Sequence, residues 1–139
     1  MVGMVVIGHG RLGEEMVRAL EEVLGPLEGV ASVSTKATDS PEEIRARIRT
    51  AAAGVERGQG VIILTDMLGD TATNQSVLVA REIGCEVVAG VNMPILVKLT
   101  TARDSRDARA LAQFIKRYGQ EHIFWATEPA SARSRQANQ

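Results

Sequence analysis

Four short runs of β-forming residues alternate with segments of helical spacing along this chain of 139 residues. Strands that alternate with helices are typical of βαβ units, in which a parallel sheet is covered on both faces by helices. Hydrophobic residues make up 45% of the chain and aromatic residues only 3%, which suits strands packed with aliphatic side chains. We therefore predict an α/β domain with an open, mainly parallel sheet in the strand order 2-1-3-4. The four runs are Val2 to Ile7, Val30 to Ser34, Gly60 to Thr65 and Glu86 to Val91.

Punctuating residues set the expected helix boundaries. Leu12 opens an apolar stripe of helical spacing that Gly25-Pro26 stops. Ser40-Pro41-Glu42-Glu43 predicts a capping box with proline at the first helical position. The remaining helices are predicted from about Thr71 to Ile83 before Gly84, near Ile95 to Thr101, and from Ser105 to Tyr118 with Gly119 as the stop.

The C-terminal region carries a final apolar run, His122 to Thr127, which is predicted to form a fifth strand. Residues 128–139 are rich in Ala, Ser, Arg and Gln without periodicity, so a disordered tail is expected after one domain over residues 1–127. No run of about 18 apolar residues predicts a membrane span, and the N-terminus lacks the pattern of a signal peptide. A net charge of −1 without a basic patch argues against nucleic-acid binding. With its single cysteine, Cys85, the chain is expected to be cytoplasmic.

Two loops of the predicted sheet carry the chemically informative residues. Ligands of open parallel sheets bind beyond the carboxyl ends of strands, where the strand order reverses. In the order 2-1-3-4 this point lies between strands one and three. The loops that follow these strands read Gly8-His9-Gly10-Arg11 and Asp66-Met67-Leu68-Gly69-Asp70-Thr71. A histidine and a carboxylate distant in sequence are therefore expected to meet.

His9 and Asp66 are the predicted catalytic pair. Imidazole is nucleophilic near neutral pH and leaves readily once phosphorylated, so His9 is predicted to carry a phosphoryl group. A carboxylate that holds Nδ1–H would direct Nε2 to the phosphorus, which is the orienting role expected of Asp66. Gly10, the amides of the first helix, Arg11 and Thr71 are candidate phosphate contacts. No metal-ligand cluster and no cofactor are predicted.

A second interpretation of the first loop is a nucleotide site. Gly8-His9-Gly10-Arg11-Leu12-Gly13 matches the dinucleotide pattern G-x-G-x-x-G after a strand and before a helix. However, the second strand ends in Thr35-Lys36, without an acidic residue for a ribose. Lys36 would suit a 2′-phosphate, so binding of NADP remains an alternative.

With those residues in place, the chain resembles the enzyme IIA domain of the mannose family of the bacterial phosphoenolpyruvate-dependent sugar phosphotransferase system. The resemblance extends from Met4 to about Thr127. It is carried by Val5-Val-Ile-Gly-His-Gly10, by Gly60-Val-Ile-Ile-Leu-Thr-Asp66 with Gly69 and Asn74, and by Val88-Ala-Gly-Val-Asn-Met-Pro-Ile-Leu96.

This resemblance implies a phosphotransferase component in sugar uptake. His9 would accept phosphate from the phosphocarrier HPr and donate it to an enzyme IIB, with Asp66 as its hydrogen-bonding partner and Thr71 near the phosphate. It also implies a homodimer in which the last strand, His122 to Thr127, adds antiparallel to the partner's sheet. No Ala-Pro linker to an enzyme IIB domain is visible, so the acceptor is expected to be a separate protein.

Departures from the family pattern and alternative functions accompany the resemblance. Gly69-Asp70-Thr71-Ala72 stands where Gly-Gly-Ser-Pro is common, which places a second carboxylate near the phosphate. A regulatory phospho-acceptor that signals by binding a partner would use the same histidine. The phosphodonor subunit of dihydroxyacetone kinase is a related alternative, although Gly90-Val-Asn-Met-Pro94 favours the mannose family.

Overall fold

A four-stranded parallel sheet forms the centre of the computed structural model, which describes residues 1–131. Its strands lie in the order β2-β1-β3-β4, as predicted. Strand β1 occupies the middle, and every one of its residues is buried, as expected for a parallel strand covered on both faces. The strands are β1 (Gly3–Gly8), β2 (Val30–Ser34), β3 (Val61–Thr65) and β4 (Glu86–Ala89).

Five helices cover the two faces of the sheet in the described part of the chain: α1 (Leu12–Leu24), α2 (Pro41–Val55), α3 (Thr71–Ile83), α4 (Met93–Ala102) and α5 (Ala108–Glu121). One face packs against α1, α4 and α5 through an apolar cluster that includes Met4, Leu64 and Leu99. The opposite face packs against α2 and α3 through a cluster that includes Val5 and Ile48. Neighbouring residues of β1 thus serve different clusters, because strand side chains alternate between faces.

Local sequence signals account for the helix boundaries that the structure confirms. The Ser40 side chain accepts a hydrogen bond from the Glu43 backbone N–H, and Glu43 returns one from the Ser40 backbone N–H, which completes the predicted capping box. Helix α3 ends at the predicted residue because Gly84 adopts a left-handed conformation with φ of 78° and donates its N–H to Ala80.

Two helix predictions near the C-terminus were wrong in their boundaries. Asp107, rather than Ser105, precedes α5, and its carboxylate accepts the Ala110 N–H at 2.8 Å. Gly119 does not end this helix, which continues to Glu121. A Cβ at Gly119 would lie 2.7 Å from Ile95 Cδ1, so this glycine allows α5 to pack closely on α4.

Strand β4 and helix α4 also differ from the prediction by about two residues. β4 ends at Ala89 because Gly90, with φ of 93°, turns the chain so that its N–H donates to Thr65 O. Asn92 then caps α4, and its side-chain oxygen accepts the Ile95 N–H at 3.0 Å.

The segment predicted as a fifth strand has no strand partner within the described residues. Residues 122–125 have no regular secondary structure, and the side chains of Ile123, Phe124 and Trp125 are exposed. Pairing with the sheet of a second subunit therefore stays a prediction. Of the predicted tail, residues 132–139 lie outside the described part. Within residues 1–131, none of the helices has the length and apolarity that a bilayer crossing requires.

Candidate functional site

The sheet brings the ends of β1 and β3 together at the point where the strand order reverses. Ile7 lies beside Thr65 in the parallel register, so the residues that follow leave the sheet side by side. The first crossover from β1 leads to β2 on one side, whereas β3 pairs on the other side. The loops diverge here, as expected at a topological switch point. His9 and Asp66, 57 positions apart, are thereby brought into contact.

His9 is bound to Asp66 through both its backbone and its ring. The His9 backbone N–H donates to Asp66 Oδ2 at 3.0 Å, and His9 Nδ1 lies 2.7 Å from the same oxygen. The other carboxylate oxygen accepts the Met67 N–H at 2.9 Å. Because an ionised carboxylate only accepts hydrogen bonds, Nδ1 must carry the proton. Nε2 has no hydrogen-bond partner among residues 1–131, and the His9 side chain is 65% exposed.

The pair favours its charged form. The hydrogen bond to Asp66 and the negative charge of that carboxylate raise the pKa of His9, and the charge of Asp70 adds a smaller contribution in the same direction. Burial acts to raise the pKa of Asp66, but the hydrogen bonds from the His9 ring and backbone outweigh it and leave this pKa lowered. Asp66 is therefore ionised at neutral pH and keeps a proton on Nδ1.

A second carboxylate lies against the same ring. Asp70 caps α3, because its Oδ1 accepts the Thr73 N–H at 2.7 Å. Its other oxygen, Oδ2, is 3.4 Å from His9 Nδ1 and is buried without a hydrogen-bond partner. The Thr73 hydroxyl contacts Met67 O and Thr65 Oγ1, at 2.5 and 2.9 Å, and so ties the loop to β3. The loop that presents both carboxylates is fixed at its two ends.

His9, Asp66 and Asp70 are also the residues to consider for a metal ion, since their ligand atoms all lie within 4.8 Å of one another. Two ligands of one tetrahedral zinc ion, with bonds of 2.0–2.1 Å, stand about 3.3 Å apart. The 2.7 Å between Nδ1 and Asp66 Oδ2 is shorter and matches an N–H···O hydrogen bond to a carboxylate. The observed geometry thus fits a shared proton better than a metal ion.

A cleft of about 780 Å³ opens beside His9. Gly10, with φ of 56°, and Thr71, the first residue of α3, line it together with His9, so three of the predicted site residues are neighbours. The N-terminus of α3, which Asp70 caps, also lies beside the cleft, and helix N-termini favour anions. Lys36, which follows β2, also lines the cleft. Because Lys36 follows the carboxyl end of β2, its position in the sequence is a signal for a place in this cleft, beyond the nucleotide contact considered above.

Two of the predicted site residues do not line this cleft: Asp66, which contacts the His9 ring, and Arg11. Arg11 stands at the N-cap of α1, and its guanidinium contacts Glu14 at 3.2 Å and Glu15 at 3.5 Å. To contact a phosphate it would have to leave these exposed ion pairs, which are weak. Its role stays a prediction. His122 stacks on Tyr118 with 3.6 Å between ring centroids and takes no part in the contacts of His9.

Comparisons with known proteins identify related sequences and related structures. A family model described as "PTS system fructose IIA component" matches residues 3–116. The mannose-specific EIIAB component of the phosphotransferase system from Escherichia coli K12 is 32% identical over 102 residues, which cover 72% of this chain and 32% of that protein. The chain thus spans about a third of the length of this relative. The putative phosphotransferase enzyme IIA component YadI of Escherichia coli K12 is 26% identical over 124 residues, or 88% of this chain and 85% of that protein.

Two solved structures show the same fold. The mannose/sorbose-specific IIA subunit from Enterococcus faecalis superposes with a TM-score of 0.82 at 22% identity and covers 92% of this chain and 96% of its own. The phosphotransferase component EIIA from Streptococcus agalactiae gives a TM-score of 0.80 at 22% identity, with 89% and 96% covered.

Proposed function

The chain belongs to the EIIA-man family of phosphotransferase-system IIA components, and on that premise we propose that it is a phosphoryl carrier that uses His9 as its acceptor. The observation that carries this proposal is the 2.7 Å contact between His9 Nδ1 and Asp66 Oδ2. In the neutral ring, this contact leaves the other nitrogen, Nε2, with its lone pair towards solvent.

The proposed reaction consists of two transfers at Nε2. The Nε2 lone pair forms a bond to phosphorus while the nitrogen of the donor takes back the electron pair of its own N–P bond. The proton stays on Nδ1, and Asp66 balances the positive ring. In the second transfer the N–P bond breaks, its electron pair returns to Nε2, and the phosphoryl group passes to the acceptor. Asp66 orients the ring in both steps.

The proposed donor is HPr and the proposed acceptor is a separate enzyme IIB, in the uptake of a sugar. The family and the curated mannose-specific relative support the phosphotransfer role. We place this exchange in the cytoplasm, in keeping with the single cysteine, Cys85. The residues Gly10, Thr71 and Arg11 are proposed as phosphate contacts, and the shared cleft supports the first two.

A homodimer is part of the proposal. The sheet order leaves β4 at an edge, and the exposed segment 122–127 carries Ile123, Phe124 and Trp125. An unpaired strand edge and an exposed apolar segment both favour association. Pairing of the two would satisfy the backbone hydrogen-bonding groups of the edge and bury the apolar side chains of the segment. We propose that the segment of one subunit adds antiparallel to the sheet of its partner.

The experiment that tests the carrier role is incubation with phosphoenolpyruvate, enzyme I and HPr, followed by measurement of acid-labile phosphate on the chain. His9→Ala should abolish labelling. His122→Ala is the matched control, since the chain has two histidines and this one lies outside the cleft; it should be labelled like the wild type. No labelling of the wild type, with a known enzyme IIA labelled in parallel, would contradict the proposal.

A further inference from the structure

The carboxylate of Asp70 is held in a fixed direction against the imidazole of His9. One oxygen is bound by the Thr73 N–H at 2.7 Å as the cap of α3, so the side chain cannot rotate away without loss of the cap. The other oxygen is buried, has no hydrogen-bond partner and lies 3.4 Å from Nδ1. A buried carboxylate oxygen without a donor is unusual, and the groups that face Asp70 are the His9 ring and the carboxyl group of Asp66.

Among the described residues, Asp66 is the other charged group that contacts the His9 ring, and the remaining charged groups nearby do not. Asp66 holds Nδ1 directly. On the side of α1, Arg11 pairs with Glu14 and Glu15, and on the side of α2, Asp39 pairs with Arg47 at 2.7 Å, whereas Lys36 lines the cleft without an ion pair among residues 1–131. Within the described residues, Asp66 and Asp70 are the carboxylates within 4 Å of the ring.

We propose that Asp70 is a positioning residue for His9, a second carboxylate that keeps the proton on Nδ1 alongside Asp66 throughout phosphoryl exchange. This inference rests on the proposed function of His9 and adds a regulation of the same site by pH. A proton shared between two carboxylates and one ring nitrogen is harder to remove than a proton held by one carboxylate.

The two directions of transfer respond differently to Asp70. Acceptance needs an unprotonated Nε2, and two negative charges beside the ring favour the imidazolium, in which Nε2 is protonated. As the pH is lowered, the rate of phosphoryl acceptance therefore begins to fall at a higher pH than it would with Asp66 alone. Donation benefits, because a ring that retains its Nδ1 proton leaves as neutral imidazole when the N–P electron pair returns to Nε2. Asp70 thus favours release of the phosphoryl group at the cost of acceptance in acid.

The test compares Asp70→Asn and Asp70→Ser with the wild-type chain. Asn and Ser both cap helices as well as Asp, so each variant keeps the cap of α3 while it removes the charge. Asp107→Asn makes the same exchange at the cap of α5, remote from His9, and serves as the matched control. The first readout is an NMR titration of the His9 ring in the unphosphorylated chain, and the second is the pH profile of the initial labelling rate from HPr.

We expect both Asp70 variants to lower the pKa of His9, by less than Asp66→Asn does, and Asp107→Asn to leave it unchanged. Labelling at pH 6 should rise by up to about fivefold relative to wild type, because solvent around the exposed His9 ring screens the charge of Asp70. The difference should shrink at alkaline pH, and hydrolysis of the phosphorylated variants should be slower.

An unchanged His9 titration in both variants, or the same change in Asp107→Asn, would overturn the inference. The titration needs no phosphoryl donor, so its outcome is separate from that of the labelling. If the Asp70 variants shift the His9 titration but the wild type is never labelled, the carrier function is refuted and the contact between Asp70 and His9 is still established.

Discussion

The backbone N–H and the ring Nδ1 of His9 converge on one oxygen, Oδ2 of Asp66, at 3.0 and 2.7 Å. Two bonds to one atom fix the position of the His9 backbone and the rotation of its ring together. Since β1 and β3 are neighbouring strands whose residues are all buried, the pair is positioned by the centre of the sheet. The exposed edge of the ring is thereby held in one direction, although His9 itself stands in a loop.

Replacement of Asp66 by Asn should remove the charge that stabilises the protonated ring. Asn can present either an oxygen or an NH₂ group to Nδ1, so a fraction of the rings will turn or adopt the wrong tautomer. We expect the pKa of His9 to fall and the initial labelling rate from HPr to drop about 10- to 100-fold near neutral pH. Labelling at the wild-type rate over the whole pH range would contradict an orienting role for Asp66.

The pH dependence of stability should carry a signature of His9. Its pKa is raised above the ordinary value of 6.5 in the folded chain, so the folded state binds a proton more tightly than the unfolded state. The contribution to stability is full below pH 6.5 and is lost as the pH rises through the raised pKa. Urea unfolding should give a lower free energy of unfolding at pH 8.5 than at pH 5.5, and this difference should be smaller in His9→Gln than in the wild type. An identical loss in both proteins would assign the effect to other groups.

Much of this site follows from sequence, because strand order and loop position are coarse features. The alternation of strands and helices predicts the sheet, and the sheet places His9 beside Asp66. The contacts of single atoms do not follow. The sequence predicts Asp70 only as a charge near the phosphate. In the structure, its role as the N-cap of α3 orients its carboxylate towards His9 Nδ1. Arg11 reads as a phosphate contact, but acidic residues one turn along α1 hold its guanidinium. Gly119 was predicted to end α5, because the local sequence gives no signal of its packing against α4.

Gly13, the last glycine of the pattern that begins at Gly8, is explained by helix packing. A Cβ at Gly13 would lie 2.6 Å from Val6 O, a backbone atom that cannot move aside, so α1 approaches β1 closely only through a glycine. Gly13→Ala should lower the free energy of unfolding by about 1–3 kcal/mol. Gly54→Ala, in α2 with no atom within 4 Å of the added Cβ, should instead raise it by roughly 0.5–1 kcal/mol through helix propensity. Urea denaturation of both variants makes the comparison, and equal effects would refute the packing role of Gly13.

The exposed apolar residues of the loop that follows β3, Met67 and Leu68, are expected to contact the phosphoryl donor. Leu68 lies between Asp66 and Asp70 and is 80% exposed, a position from which a docked protein would bury it. Leu68→Ser should raise the KM for HPr several-fold, with stability and the titration of His9 unchanged. Val23→Ser removes a similarly exposed side chain at the far end of α1 and should leave the KM as it is. A kcat effect without a KM effect would argue against docking at Leu68.

The exposed C-terminal segment should decide the oligomeric state. Phe124 is 76% exposed in the single chain, and the strand pairing proposed for residues 122–127 would bury apolar side chains from both subunits. A charge introduced there opposes burial strongly, because an unpaired carboxylate loses its hydration in an interface. Phe124→Asp should therefore convert a dimer to a monomer in light scattering, whereas Val23→Asp, also on an exposed apolar residue, should not. A wild type that stays monomeric at concentrations above those of the assay would exclude strand exchange as the basis of assembly.

If Phe124→Asp is monomeric and still labelled on His9, each subunit carries a complete site, as the contacts of His9 within one chain lead us to expect.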